Sequence, residues 1–166
     1  MNDAARALAR GVATEFRRRL CGEYVARIAR CVELLGDANV WRRPAPNCNS
    51  VGNLLLHLCG NITQWIVVTF DHAADQRDRT AEFAAESGQS GAELVARLRA
   101  VAERACAIVD HLDADELLRE RTIQRQFRET GLAAVLHAME HCSGHAGQIY
   151  AWTKQVTGQD LRFYDL

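Results

Sequence analysis

The sequence predicts an all-α protein, a four-helix bundle with long connecting loops, in which residues 1–166 form a single domain. Apolar residues recur at helical spacing in four segments, and no glycine-rich phosphate loop, alternating strand pattern or internal repeat accompanies them. The length of 166 residues, 48% of them hydrophobic, allows one compact domain with a buried core. Four helices with two long connections are the simplest arrangement of these segments.

The first two helices are separated by a connection that contains two prolines. The first helix is expected from Asp3 to Leu35, where apolar residues keep approximately helical spacing. Ser50 is a good N-cap for a second helix that reaches about Phe70. The connection between them is long enough to carry functional residues.

The second half of the chain predicts two more helices. Residues 71–89 are polar and lack clear periodicity, which predicts a mobile loop in which residues 81–85 could form a turn. Ser90 opens a third helix that ends near Asp113, with an apolar stripe on one side and charged residues on the other. A helical turn over residues 114–120 and a charged stretch to Glu129 follow.

Thr130 is expected to cap a fourth helix, which continues to about Thr157 and stops at Gly158. The tail that follows, residues 161–164, is amphipathic and is expected to pack back onto the bundle.

Composition excludes several classes of protein. The formal net charge of −1 gives no basic field that would attract nucleic acid or an anionic membrane. Six scattered cysteines without a CxxC pair are typical of reduced cytosolic thiols, and the N-terminus lacks the apolar region of a signal peptide, so a cytoplasmic location is predicted. The second helix is strongly apolar, but its asparagine and glutamine residues favour a buried helix over a membrane span.

Polar residues share one face of the predicted fourth helix. At about 100° per residue, His137, His141, His145 and Gln148 fall within an arc of about 80°, opposite an apolar face. The two formally charged residues between positions 130 and 159 lie outside this arc. Because a solvent-facing arc would collect charged residues, this face is expected to border an enclosed polar site.

The second helix repeats the pattern, with Asn53, His57, Asn61 and Gln64 on one face. Histidines four residues apart, such as His141 and His145, can reach one ion, and a third imidazole from a facing helix would complete the set. Three neutral nitrogens suit Zn, Ni or Fe and leave a position open for catalysis. Alternatively, the histidines are core or interface groups whose hydrogen bonds are made by asparagine and glutamine.

Two segments resemble the signature segments of the DinB-like superfamily: SVGNLLLHL (residues 50–58) and HAMEHCSGHAGQI (residues 137–149). That superfamily includes the bacillithiol S-transferases and the mycothiol-dependent maleylpyruvate isomerase. The resemblance extends over almost the whole chain and implies a four-helix bundle that commonly dimerises and binds metal through three histidines. It places the metal ligands on His57, His141 and His145 and makes His137 a neighbouring, potentially catalytic residue.

The resemblance also implies a reaction. The leading hypothesis is a metal-dependent transferase or isomerase, in which a small-molecule thiol is held as thiolate and offered to a small electrophile. His137 is the one general base visible near the site, and Asn53, Asn61 and Gln148 are candidates to orient imidazoles or a bound water. We expect no nucleic acid or membrane partner. We expect the protein to form a homodimer.

Two other functions stay open at this point. The same open site could activate water for hydrolysis, since a three-histidine zinc site lowers the pKa of bound water to about 7. The other is a non-catalytic dimeric bundle in which the metal is structural or absent.

Overall fold

Four long helices form a bundle in the computed structural model, which describes residues 2–163. We number all elements in chain order. Helix α1 covers residues 3–35 as three consecutive segments: Asp3–Arg17, a π-helical segment Arg18–Val25, and Ala26–Leu35. The single turn α2 is Asp37–Val40, and α3 is Val51–Asp71, with π-helical geometry over Thr63–Val68.

The second half of the described chain contains three helices, a hairpin and the last long helix. The helices are α4 (Arg79–Ala84), α5 (Gly91–Asp110) and α6 (Ala114–Leu118). Strands β1 (Glu120–Ile123) and β2 (Phe127–Thr130) pair antiparallel, and α7 is Gly131–Thr157. The all-α four-helix bundle is thus confirmed.

Capping residues and a glycine mark the ends of the long helices α3 and α7. Ser50 and Asn53 form a reciprocal capping box at the start of α3, and Thr130 caps α7 through the amide of Ala133. Helix α7 ends at Gly158, whose φ of 65° lies in the left-handed region that favours glycine. These signals account for the agreement between the predicted and observed bounds of the helices.

The core lies between α1, α3, α5 and α7, which pack against one another. Each contributes fully buried apolar side chains, such as Phe16, Leu55, Leu98 and Ile149. Helix α3 is long and apolar enough to cross a membrane, but 72% of its most apolar window is buried by the rest of the fold. It is therefore the core helix of the bundle.

Two connections contain elements that the sequence did not predict. Residues 71–89 are not an unstructured loop, because they contain α4, capped by the Asp78 side chain, and a buried carboxylate at Glu82. The charged stretch before Thr130 is a β-hairpin, whose Ile123 is buried against Trp65 and Ala134. Of the predicted tail, Leu161 is buried on the bundle, whereas Tyr164 lies outside the described residues.

Candidate metal centre

Three of the predicted site residues meet between α3 and α7. The potential ligand atoms of His57, His141 and His145 all lie within 4.8 Å of one another. The Nε2 atoms of His57 and His141 are 2.8 Å apart, and the His145 ring lies edge-on to both other rings. At 2.8 Å two imidazole nitrogens need either one proton or a shared cation between them. This three-histidine group could hold a metal ion.

Hydrogen bonds orient two of these rings. The Nδ1 of His57 is 3.0 Å from Oε2 of Glu82, and the Nδ1 of His145 is 3.0 Å from Oε1 of Gln148. Because carboxylate and amide oxygens accept, we assign the ring proton to Nδ1 in both histidines. The Nε2 atom is then unprotonated, so its lone pair is free to bind a metal. Three such imidazole nitrogens fit a divalent transition metal.

Burial favours the neutral form of His141 and His145. Burial, and after it the nearby rings of His145 and His57, together lower the pKa of His141 to about 3. Burial also lowers the pKa of His145, although the hydrogen bond to Gln148 opposes this. Since only an unprotonated imidazole binds metal, these two rings are in the binding state at neutral pH.

A buried ion pair between Arg77, just before α4, and Glu82, within α4, supports His57. The Nε of Arg77 donates to Oε1 of Glu82 at 2.7 Å, and its Nη2 donates to Oε2 at 2.9 Å. The two side chains are 8% and 10% exposed. Burial would raise the pKa of Glu82, but the hydrogen bonds from Arg77 and His57 hold it below its usual value. Glu82 is therefore a charged acceptor for His57.

The guanidinium of Arg77 contacts more than Glu82. Its Nη1 donates to Oε1 of Gln64 at 2.9 Å, which ties the segment to α3. Its Nη2 also lies 2.9 Å from Nδ1 of His57. Since guanidinium and imidazole N–H groups both donate, they share Oε2 of Glu82 as acceptor.

Sequence reasoning missed Arg77 and Glu82. Both lie in a short polar segment without periodicity, so nothing local separated them from solvent-exposed charges. One signal could have indicated the short helix: Asp78 is a residue suited to helix capping. Phe83, an apolar residue in that helix, packs against the His57 ring.

The three amides predicted to orient imidazoles have different roles. Gln148 does contact His145, and the Nδ2 of Asn61 lies 3.4 Å from Nε2 of His137. Asn53 contacts none of the histidines. Its amide donates instead to the backbone oxygens of Glu82 and Ala85 and so holds the α4 segment against α3.

His137 lies outside the three-histidine group and faces the neighbouring cavity. Its ring stacks on Trp65 with centroids 3.6 Å apart, and its centroid is 5.4 Å from that of His141. Burial lowers the pKa of His137. The cavity has a volume of about 290 Å³. Its lining residues are His57, Asn61, Gln64, Trp65, Arg77, Arg79, Gln124, Phe127, His137 and His141.

The tip of the hairpin forms one wall of this cavity. Gln124 and Arg125 adopt φ values of 54° and 61°, which non-glycine residues rarely do. This strained turn places Gln124 and Phe127 opposite the histidines. One wall of the cavity therefore consists of potential metal ligands on α3 and α7, and the opposite wall consists of residues of the hairpin.

Gly60 tests the Arg77–Glu82 pair without changing either residue. A Cβ at position 60 would lie 2.0 Å from Oε1 of Glu82 and 2.6 Å from Nε of Arg77. Because both side chains are fixed by the pair, we expect Gly60→Ala to lower the free energy of unfolding by ~1–3 kcal/mol. Urea denaturation measures this change.

Gly11→Ala is the matched control for Gly60→Ala. A Cβ at position 11 meets nothing within 4 Å, so this substitution within α1 should be neutral or stabilising by up to ~1 kcal/mol. Equal effects of the two substitutions would show that the ion pair does not constrain position 60.

Comparisons with known proteins show the family and the fold of this chain. A family model described as mycothiol-S-transferase matches residues 19–158. A DinB-like protein from Bacillus subtilis has a similar structure, with a TM-score of 0.68, 19% identity, and coverage of 93% of this chain and 97% of that chain. A DinB-like protein from Bacillus cereus has a TM-score of 0.63 at 12% identity, with coverage of 85% and 90%. No curated protein matches.

Proposed function

Because this chain belongs to the mycothiol S-transferase family of DinB-like proteins, we propose that it is a metal-dependent thiol S-transferase. His57, His141 and His145 hold a divalent transition metal, Zn, Ni or Fe, and the co-substrate is a low-molecular-weight thiol such as mycothiol. One observation carries this proposal: three imidazoles converge beside a cavity of about 290 Å³ that takes a small electrophile. We also propose that the protein is a cytoplasmic homodimer, since the resemblance to the superfamily implies a dimer.

Each group of the site has a distinct task in this reaction. A bound divalent ion supplies Lewis acidity, which lowers the pKa of a thiol so that it reacts as thiolate at neutral pH. The three histidines hold the ion, and Glu82 and Gln148 fix two of the rings. Trp65 and Phe127 give the cavity apolar lining.

His137 is the residue we propose for proton transfer. It lines the cavity, its Nε2 makes a long contact of 3.4 Å with the Nδ2 of Asn61, and it lies outside the three-histidine group. Glu82 is unsuited to this task because it is bound to Arg77 and His57 and does not line the cavity. A neutral imidazole can exchange a proton at Nε2 with the thiol or the product.

The proposal is tested with zinc-loaded, nickel-loaded and metal-free protein. Each is incubated with monobromobimane, with and without mycothiol, and the products are identified by mass spectrometry; coenzyme A and cysteine serve as comparison thiols. We expect the S-conjugate to form faster than the uncatalysed reaction only when metal and thiol are both present. A panel of esters and amides tests the alternative, and products formed with water alone would identify a hydrolase.

His137→Ala separates proton transfer from metal binding. Because general acid–base catalysis typically contributes ~10²–10⁴-fold, we expect the turnover number to fall by that factor while bound metal stays stoichiometric. His111→Ala, at an exposed histidine, is the control. Loss of metal from the His137 variant would instead place this residue among the ligands.

A further inference from the structure

Two thiols meet at the contact between α1 and α5, outside the three-histidine group. The Sγ atoms of Cys21 and Cys106 are 3.5 Å apart. Cys21 lies in the π-helical segment of α1 and is half-buried, whereas Cys106 is fully buried. One sulfur is therefore open to a small reagent, and the other is in contact with it from the protein interior.

The surroundings favour a thiolate on Cys21. The hydrogen bond from the Cys106 thiol lowers the pKa of Cys21, and the positive charge of Arg17 acts in the same direction, against burial and Glu103. The same contact, together with burial, raises the pKa of Cys106. Because Cys21 is partly exposed and Cys106 is fully buried, we assign Cys21 as the nucleophile of the pair and Cys106 as the proton donor.

The other cysteines lack this combination. Burial raises the pKa of Cys31, and that of Cys59 and Cys142 to about 12 each. Cys48 is half-buried like Cys21, but the atom near its Sγ is Oδ1 of Asn47, 3.7 Å away, and not a second thiol. Within residues 2–163, partial exposure and contact with a second sulfur occur together at Cys21.

We propose that Cys21 and Cys106 are a redox-active dithiol, which a hydroperoxide converts to an intramolecular disulfide between α1 and α5. The Cys21 thiolate attacks the peroxide, whose O–O bond breaks, to give Cys21 sulfenic acid and the leaving alkoxide or hydroxide, which takes up a proton. The Cys106 thiol then attacks the Cys21 sulfur and releases water. In sum, two thiols lose two hydrogens and one peroxide is reduced to water and an alcohol, or to two waters.

Intact-mass spectrometry of the zinc-loaded, untagged protein tests this step. After full reduction and removal of reductant, treatment with hydrogen peroxide should lower the mass by about 2 Da, and dithiothreitol should restore it. A tryptic digest without reduction should contain a peptide that links residues 21 and 106. Cys48→Ser is the matched control and should form the same link.

Single substitutions separate the two roles. Cys106→Ser should accumulate a sulfenic acid at Cys21 that dimedone traps, whereas Cys21→Ser should show neither the mass loss nor trapping at Cys106. Circular dichroism before oxidation verifies that both variants are folded. Mass loss that persists in the Cys21 variant, or no mass loss in the unsubstituted protein, would overturn the proposal. Neither result depends on the proposed transferase activity.

Discussion

His57→Ala should abolish stoichiometric binding of a divalent metal. His57 is the one member of the group supplied by α3, and its Nε2 lies 2.8 Å from that of His141. Loss of a hydrogen-bond partner of a ligand typically costs ~10–100-fold in affinity, and loss of the ligand itself should cost more. Elemental analysis of untagged protein and titration calorimetry with zinc measure the change, and His145→Ala should behave alike.

His72→Ala is the matched control for this experiment. His72 is an exposed histidine at the end of the same helix, so its removal changes the histidine content without touching the group. We expect unchanged metal stoichiometry. If the His57 variant kept one tightly bound ion per chain, the three-histidine assignment would be wrong.

Glu82→Ala should have the largest effect on stability. It would leave the guanidinium of Arg77 buried without its ionic partner, and breaking a buried ion pair in this way costs ~3–5 kcal/mol. Urea denaturation of the metal-free protein measures the loss independently of any ion. Glu86→Ala removes an exposed carboxylate from the same connection and should change stability by less than ~0.5 kcal/mol.

A double variant separates the stability of the pair from its role towards His57. Replacing both residues, Arg77→Met with Glu82→Met, removes both buried charges and should recover most of the stability lost in Glu82→Ala. The metal affinity of the double variant, like that of Glu82→Ala, should be ~10–100-fold lower than that of the unsubstituted protein, since Nδ1 of His57 lacks its acceptor in both. Recovery of both properties would show that Glu82 does not orient the imidazole.

The helices and the histidines could be predicted because their signals are local and periodic. Ser50 and Thr130 mark helix starts by their chemistry, and the four-residue spacing of His141 and His145 puts both rings on one face of any helix. Two polar faces in an otherwise apolar pair of helices suggested that His57 meets them, and the resemblance to the DinB-like superfamily implied the set His57, His141 and His145.

The ion pair and the hairpin could not be predicted for the opposite reason. Glu82 reaches His57 across 25 residues, and only tertiary packing removes it and Arg77 from solvent. The hairpin strands have four residues each, and the turn between them has positive φ at Gln124 and Arg125, where glycine or asparagine would have indicated it. Its stability comes from burial of Ile123, which is a contact with Trp65 on another element.

The residues of the two cavity walls differ in how well they tolerate substitution. The histidines lie on α3 and α7, where a substitution also disturbs the core, whereas Arg79, Gln124 and Phe127 lie on surface connections that tolerate replacement and insertion. Substitutions in the connections can therefore change the shape of the cavity and leave the three-histidine group intact. The exception is the connection that contains α4, because Arg77 and Glu82 there hold the His57 ring and a substitution of either would disturb the three-histidine group.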